Sequence, residues 1–146
     1  MRKYAMVLVL CAFVGAAQAS DGDVAAKFGL LGEWAVDCAQ SASLQNMRQT
    51  FTVGAQESVS ATVEMGSDHP PARETLAGLK LLAPDSIVIT FTRESDNYVS
   101  LVTLKKKGNR TQVIDSTNTA TGEALIRDGM LVRAKRPVPW VTKCGK

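Results

Sequence analysis

Two cysteines constrain the fold of this chain more than any other feature. Cys38 ends the stretch Phe28-Gly-Leu-Leu-Gly-Glu-Trp-Ala-Val-Asp-Cys38, and Cys144 stands third from the end of the 146-residue sequence. A bond between them would tie the first strand to the last few residues, so that everything between closes on itself. An even pair in an exported chain is expected to be a structural disulfide, because the compartment is oxidising and no thiol is left over. In a chain-entropy description, a crosslink closing a loop of about 100 residues contributes roughly 4 to 5 kcal/mol. A redox pair or a metal site is not expected: the sequence has no C-x-x-C, and His69 is its one histidine.

That pairing assumes export, and the N-terminus supplies the reason. Met1-Arg2-Lys3 is followed by an apolar run from Ala5 to Val14, the small residues Gly15, Ala16 and Ala17, and then Gln18-Ala19-Ser20. A charged start, a short apolar run and an Ala17-Gln18-Ala19 ending mark a secretory signal peptide, expected to be cleaved after Ala19. The run is too short for a transmembrane helix. Residues 1–19 are thus expected to be a targeting segment that carries away Cys11, and residues 20–146 are expected to form one domain, long enough for a single core. The formal charge of +3 includes Arg2 and Lys3, so the exported chain is near neutral. It has no global basic signal for nucleic acid. The expected location is periplasmic or secreted.

From Trp34 onward the apolar residues recur mainly with period two. Asp23 is a candidate N-cap for a short helix over Val24 to Leu30, stopped by Gly29 and Gly32. Trp34, Val36 and Cys38 share one face of the first strand. Phe51 and Val53 are the inward pair of the second. Val59, Ala61, Val63 and Met65 alternate with polar residues in the third. The segment Arg73 to Leu82 reads as a strand with Gly78 as a bend or bulge, although Leu76, Leu79 and Leu82 also fit a helical face. Ser86 to Arg93 places Ile87, Ile89 and Phe91 together, and Glu94 to Asn97 turns the chain into Tyr98 to Leu104. Lys105-Lys-Lys-Gly-Asn109 is expected as the next turn. Asp128-Gly129 is the strongest two-residue hairpin signal present. Eight or nine short strands with regular turns predict an all-β fold, an antiparallel up-and-down barrel of about eight strands with a short N-terminal helix.

The turn into Gly32-x-Trp34, the preceding Phe28 and the tail cysteine Cys144 resemble the lipocalin and wider calycin barrels. The frame from Gly32-Glu-Trp-Ala-Val-Asp-Cys38 to Pro137-Val-Pro-Trp-Val-Thr-Lys-Cys144 also resembles small exported bacterial proteins of unassigned role. The lipocalin resemblance implies structural roles for Gly32 and Trp34, with Trp34 on the barrel floor. It also implies that a small apolar ligand could enter the barrel mouth. Interior residues expected to meet such a ligand are Val59, Ala61, Ile87, Ile89 and Leu101.

No constellation points to catalysis, so an enzyme is not expected, nor any cofactor or metal. Ser67-Asp68-His69 puts three triad letters side by side, whereas triad partners come from separate elements. Asp37, Glu64 and Asp115 are carboxylates expected on strands, with no spacing that pairs them. Lys105, Lys106, Lys107 and Arg110 form one basic cluster, and Arg133-Ala-Lys135-Arg136 a second; either could meet an anionic partner. The leading function is therefore an exported envelope or periplasmic binding protein for a small apolar ligand. The alternative is a protein-interaction module, because small disulfide-closed barrels with Gly-x-Trp also resemble bacterial inhibitors of secreted proteases or of lysozyme. Inhibitors of that kind use a free segment before the barrel, here Ser20 to Lys27, and the partner would be an envelope protein.

Overall fold

Alternation of apolar and polar residues can bury one side of a sheet only if that side faces a closed interior, and this chain closes it. The computed structural model describes residues 18–145. The expected signal segment, Cys11 included, lies outside the described residues apart from its last two positions. Helix α1 (Asp21–Phe28) precedes strands β1 (Gly32–Ala35), β2 (Arg48–Val53), β3 (Val59–Glu64), β4 (Ala72–Ala83), β5 (Ser86–Arg93), β6 (Val99–Lys107) and β7 (Arg110–Asn118). Three short strands follow, β8 (Ala124–Arg127), β9 (Met130–Leu131) and β10 (Arg136–Pro137), and then β11 (Val141–Cys144). All pairings are antiparallel. The order β7-β11-β1-β2-β3-β4-β5-β6 returns to β7 and closes an eight-stranded barrel, as the sequence predicts. Strands β8, β9 and β10 continue outward from β7 as a flap.

Cys38 and Cys144 are disulfide-bonded, with their Cα atoms 5.4 Å apart. The bond joins the turn after β1 to the end of β11, beside the pairs Glu33↔Cys144 and Ala35↔Thr142. Arg48 holds the same corner. Its guanidinium pairs with Glu33 and donates to the carbonyls of Cys38 and Gln40, both at 2.7 Å. Asp37 lies in this turn rather than on a strand.

Helix α1 plugs one end of the barrel. Ser20, not Asp23, is its N-cap: Ser20 Oγ accepts from the Asp23 N–H at 3.1 Å, and the Asp23 carboxylate accepts from the Ser20 N–H, a reciprocal capping box. The helix stops at Phe28 because Gly29 takes a left-handed conformation with φ 82°. Asp21 reaches β4 and accepts from the N–H groups of Gly78 and Leu79 at 3.1 and 2.8 Å, where a register shift frees them from the ladder. Ala25 and Phe28 thereby join Val59, Ala61, Ile87 and Ile89 in one buried cluster. Trp34 is 2 % exposed within it, and its indole N–H donates to the Leu30 carbonyl at 2.7 Å.

Several sequence expectations change at this level. Segment 72–83 is a single strand, and Gly78 (φ 62°) sits in its irregularity. The lysines 105–107 extend β6 instead of forming a turn; the turn is Gly108-Asn109 alone, because Lys107 pairs with Arg110. Asp128-Gly129 makes the two-residue hairpin, both residues at positive φ, between Arg127 and Met130. Val53 ends β2 at 37 % exposure, so Phe51 is that strand's one buried residue.

Candidate functional site

The wall of the barrel is incomplete along β7. Its first residues, Arg110 and Thr111, pair with β11, and Ser116 and Thr117 pair with β8. Between them β7 carries a register irregularity against β6, where Leu104 faces Val113 and Thr103 faces Asp115. A bulge of this kind bends a strand and ends local pairing, which lets β11 and β8 diverge. The flap crosses the resulting gap on a few hydrogen bonds: Gly129 N–H donates to the Ile114 carbonyl at 2.8 Å, and the Gln112 side-chain amide donates to the Val138 carbonyl at 2.7 Å.

Behind the flap lies a cavity of about 750 Å³. Its floor is Leu30, Trp34, Phe51 and Leu104, residues of the buried core. Val113 and Val141 form its sides, and Ile126, Leu131, Pro137, Val138 and Pro139 line it from the flap. Val36, Leu44 and Met47 stand at the rim with 41 %, 54 % and 47 % exposure, large apolar side chains left in water around an apolar opening. The rim loop is well organised. Buried Asn46 donates to the carbonyls of Asp37, Gln40 and Ser41 and accepts from the Asp37 N–H at 2.8 Å.

The polar groups lining the cavity are few: Gln45, Gln49, Thr111, Gln112 and Arg136. Gln49 also hydrogen-bonds Glu74 on the inner face of β4. Burial pushes the Glu74 carboxyl above the usual carboxylate range, against the opposing pull of the Arg93 guanidinium and the Gln49 hydrogen bond. Arg93 is the register partner of Glu74, and it also bonds Asp96 at 3.2 Å and lies over the Tyr98 ring. No cluster of three metal-ligating side chains occurs among the described residues. His69 is exposed in the loop between β3 and β4.

The expected interior residues separate into two sets. Val59, Ala61, Ile87 and Ile89 point inward and are 0 to 2 % exposed, but they fill the plugged half with α1 and do not line the cavity. Leu101 is on the outside of β6 at 47 % exposure, since Ser100, Val102 and Leu104 are the inward residues of that strand. The first basic cluster is also divided. Lys105, Lys107 and Arg110 are exposed, with Arg110 over the Trp140 ring, whereas Lys106 turns inward, donates to the Phe28 carbonyl and lies over the Phe28 ring. Lys106 therefore caps the end of α1 rather than adding to a basic surface. Cavity residues from the flap were missed because Pro137-Val-Pro139 reads as a tail, and only Asp128-Gly129 announces a hairpin there.

A more open cleft of about 670 Å³ lies between α1 and β4, lined by Asp21, Asp23, Lys27 and Lys80. Val24, Leu79 and Leu81 line it as well. Comparison with known protein families, curated sequences and solved structures finds no significant match to this chain.

Proposed function

We propose that this protein is an exported carrier that takes a small apolar molecule into the cavity between the barrel and its flap. The observation that supports this best is the cavity itself. Its volume of about 750 Å³ falls within the range of small-molecule sites, and its lining is aliphatic and aromatic with few polar groups. Apolar residues at the rim extend the same surface into solvent, where they would meet the ligand first. The lipocalin-like resemblance at Gly32 and Trp34 agrees with such a role, as does the eight-stranded barrel. Export to a periplasmic or extracellular location is supported by the N-terminal pattern and by a disulfide suited to an oxidising compartment.

The inhibitor alternative is less well supported, because it needs a free segment from Ser20 to Lys27. Asp21–Phe28 is instead a helix docked on β4, with Ala25 and Phe28 buried. Titration with the neutral fluorescent probe N-phenyl-1-naphthylamine tests the carrier. One saturable site is expected in the native protein, and it should disappear in a folded Val113→Trp variant whose indole fills the cavity. No probe uptake, or equal uptake by the variant, would remove the basis for a carrier.

A further inference from the structure

The second basic cluster of the sequence, Arg133 to Arg136, lies on the flap that covers the cavity. Arg133 is engaged by Glu123 at 2.7 Å. Arg136 is exposed, lines the cavity, and has no carboxylate partner among the described residues. Among the described residues it is the one ionisable side chain lining the cavity, and no acidic residue lines it. Lys135 is exposed beside it. The side-chain amide of Gln112, which also lines the cavity, is already committed to the Val138 carbonyl.

From this placement we infer that the ligand is an amphiphile with an anionic head: an apolar tail enters against Trp34, Leu104 and Val113, and a carboxylate or similar anion stays at the mouth on Arg136. The inference rests on the carrier function proposed above and names its ligand class. Guanidinium suits this position because its planar, cationic fork can hold a carboxylate through two hydrogen bonds. An apolar wall with a single cation at its edge also disfavours cationic amphiphiles, which would set like charges together. Tail length should matter independently of the head, with each additional buried methylene tightening binding about fourfold until the cavity is full.

Three compounds with the same eleven-carbon alkyl tail separate these contributions: dodecanoate, 1-undecanol and undecyltrimethylammonium, each measured by displacement of N-phenyl-1-naphthylamine from the disulfide-intact protein. Dodecanoate is expected to bind about fivefold more tightly than undecanol, the scale of one solvent-exposed ion pair, and undecyltrimethylammonium more weakly than either. Arg136→Gln should bring dodecanoate to the undecanol value and leave undecanol unchanged, with thermal stability unaltered. Raising the salt concentration should erode the dodecanoate preference in the native protein only. Equal binding of dodecanoate and undecanol by the native protein overturns the anionic head while leaving the apolar carrier intact. Loss of the preference in Lys135→Gln to the same extent as in Arg136→Gln overturns the specific role of Arg136. Failure of all three compounds and of the probe to bind overturns the carrier as well.

Discussion

Removing the Cys38–Cys144 crosslink should cost this barrel more than any surface change, and the structure says where the loss begins. The two cysteines are 106 positions apart. A crosslink closing about that many residues limits the unfolded chain by about 4.7 kcal/mol in the loop-entropy description. On the folded side, β11 is held by three register pairs to β1 and two to β7, against seven between β5 and β6. With four residues it is as short as β1 and has the fewest register pairs of the wall, and the disulfide fastens its last residue. A Cys38→Ala/Cys144→Ala double variant is therefore expected to lose about 4 to 5 kcal/mol in urea unfolding. At roughly 4 °C per kcal/mol for a domain of this size, the midpoint should fall by about 15 to 20 °C. Amide hydrogen exchange gives the spatial half of the test: residues 141–144 should lose protection first, and β5 and β6 last. An unfolding midpoint within about 1 kcal/mol of the native value, or uniform loss of protection, would refute both the entropic reasoning and the assignment of β11 as the weak stave.

Two further perturbations probe the interior. Trp34→Ala should cost about 3 to 5 kcal/mol, because the indole is buried and its departure also leaves the Leu30 carbonyl without its donor; a near-neutral denaturation curve would displace Trp34 from the floor. Glu74 has a folded-state pKa raised above its ordinary value of 4.5 by burial. Its contribution to stability is thus fully present below about pH 4.5 and is lost as pH rises through the raised value. Native protein should accordingly lose stability relative to Glu74→Gln on going from acid toward neutral pH, as read from urea midpoints. The opposite trend would mean that the Arg93 and Gln49 interactions outweigh desolvation.

Much of the barrel was legible because its signals are local and strong. In the flap, Asp128-Gly129 is one of the few pairs that a two-residue turn with two positive φ values readily accepts, and in the wall Ile87, Ile89 and Phe91 leave one choice of inward face for β5. The two oxidisable cysteines needed only an even count. Where both faces of a strand carry apolar residues, period two loses its power to choose. On β6 Val99 and Leu101 compete with Val102 and Leu104, and neighbouring strands decide the parity, so the sequence alone puts Leu101 inside whereas it faces out. Lys106 reads as surface in the sequence because its role depends on the end of a helix 78 positions earlier in the chain. The cavity was least legible of all. It arises from a bulge on β7 and from the divergence of β8 and β11, a tertiary event with no sequence period of its own.

Native mass spectrometry of the protein isolated from its own cells without detergent addresses ligand carriage most directly. The expected spectrum contains the polypeptide with one small lipophilic adduct, which is released on collisional activation and replaced on incubation with dodecanoate. A spectrum of bare polypeptide that also fails to take up dodecanoate or undecanol would contradict the central claim.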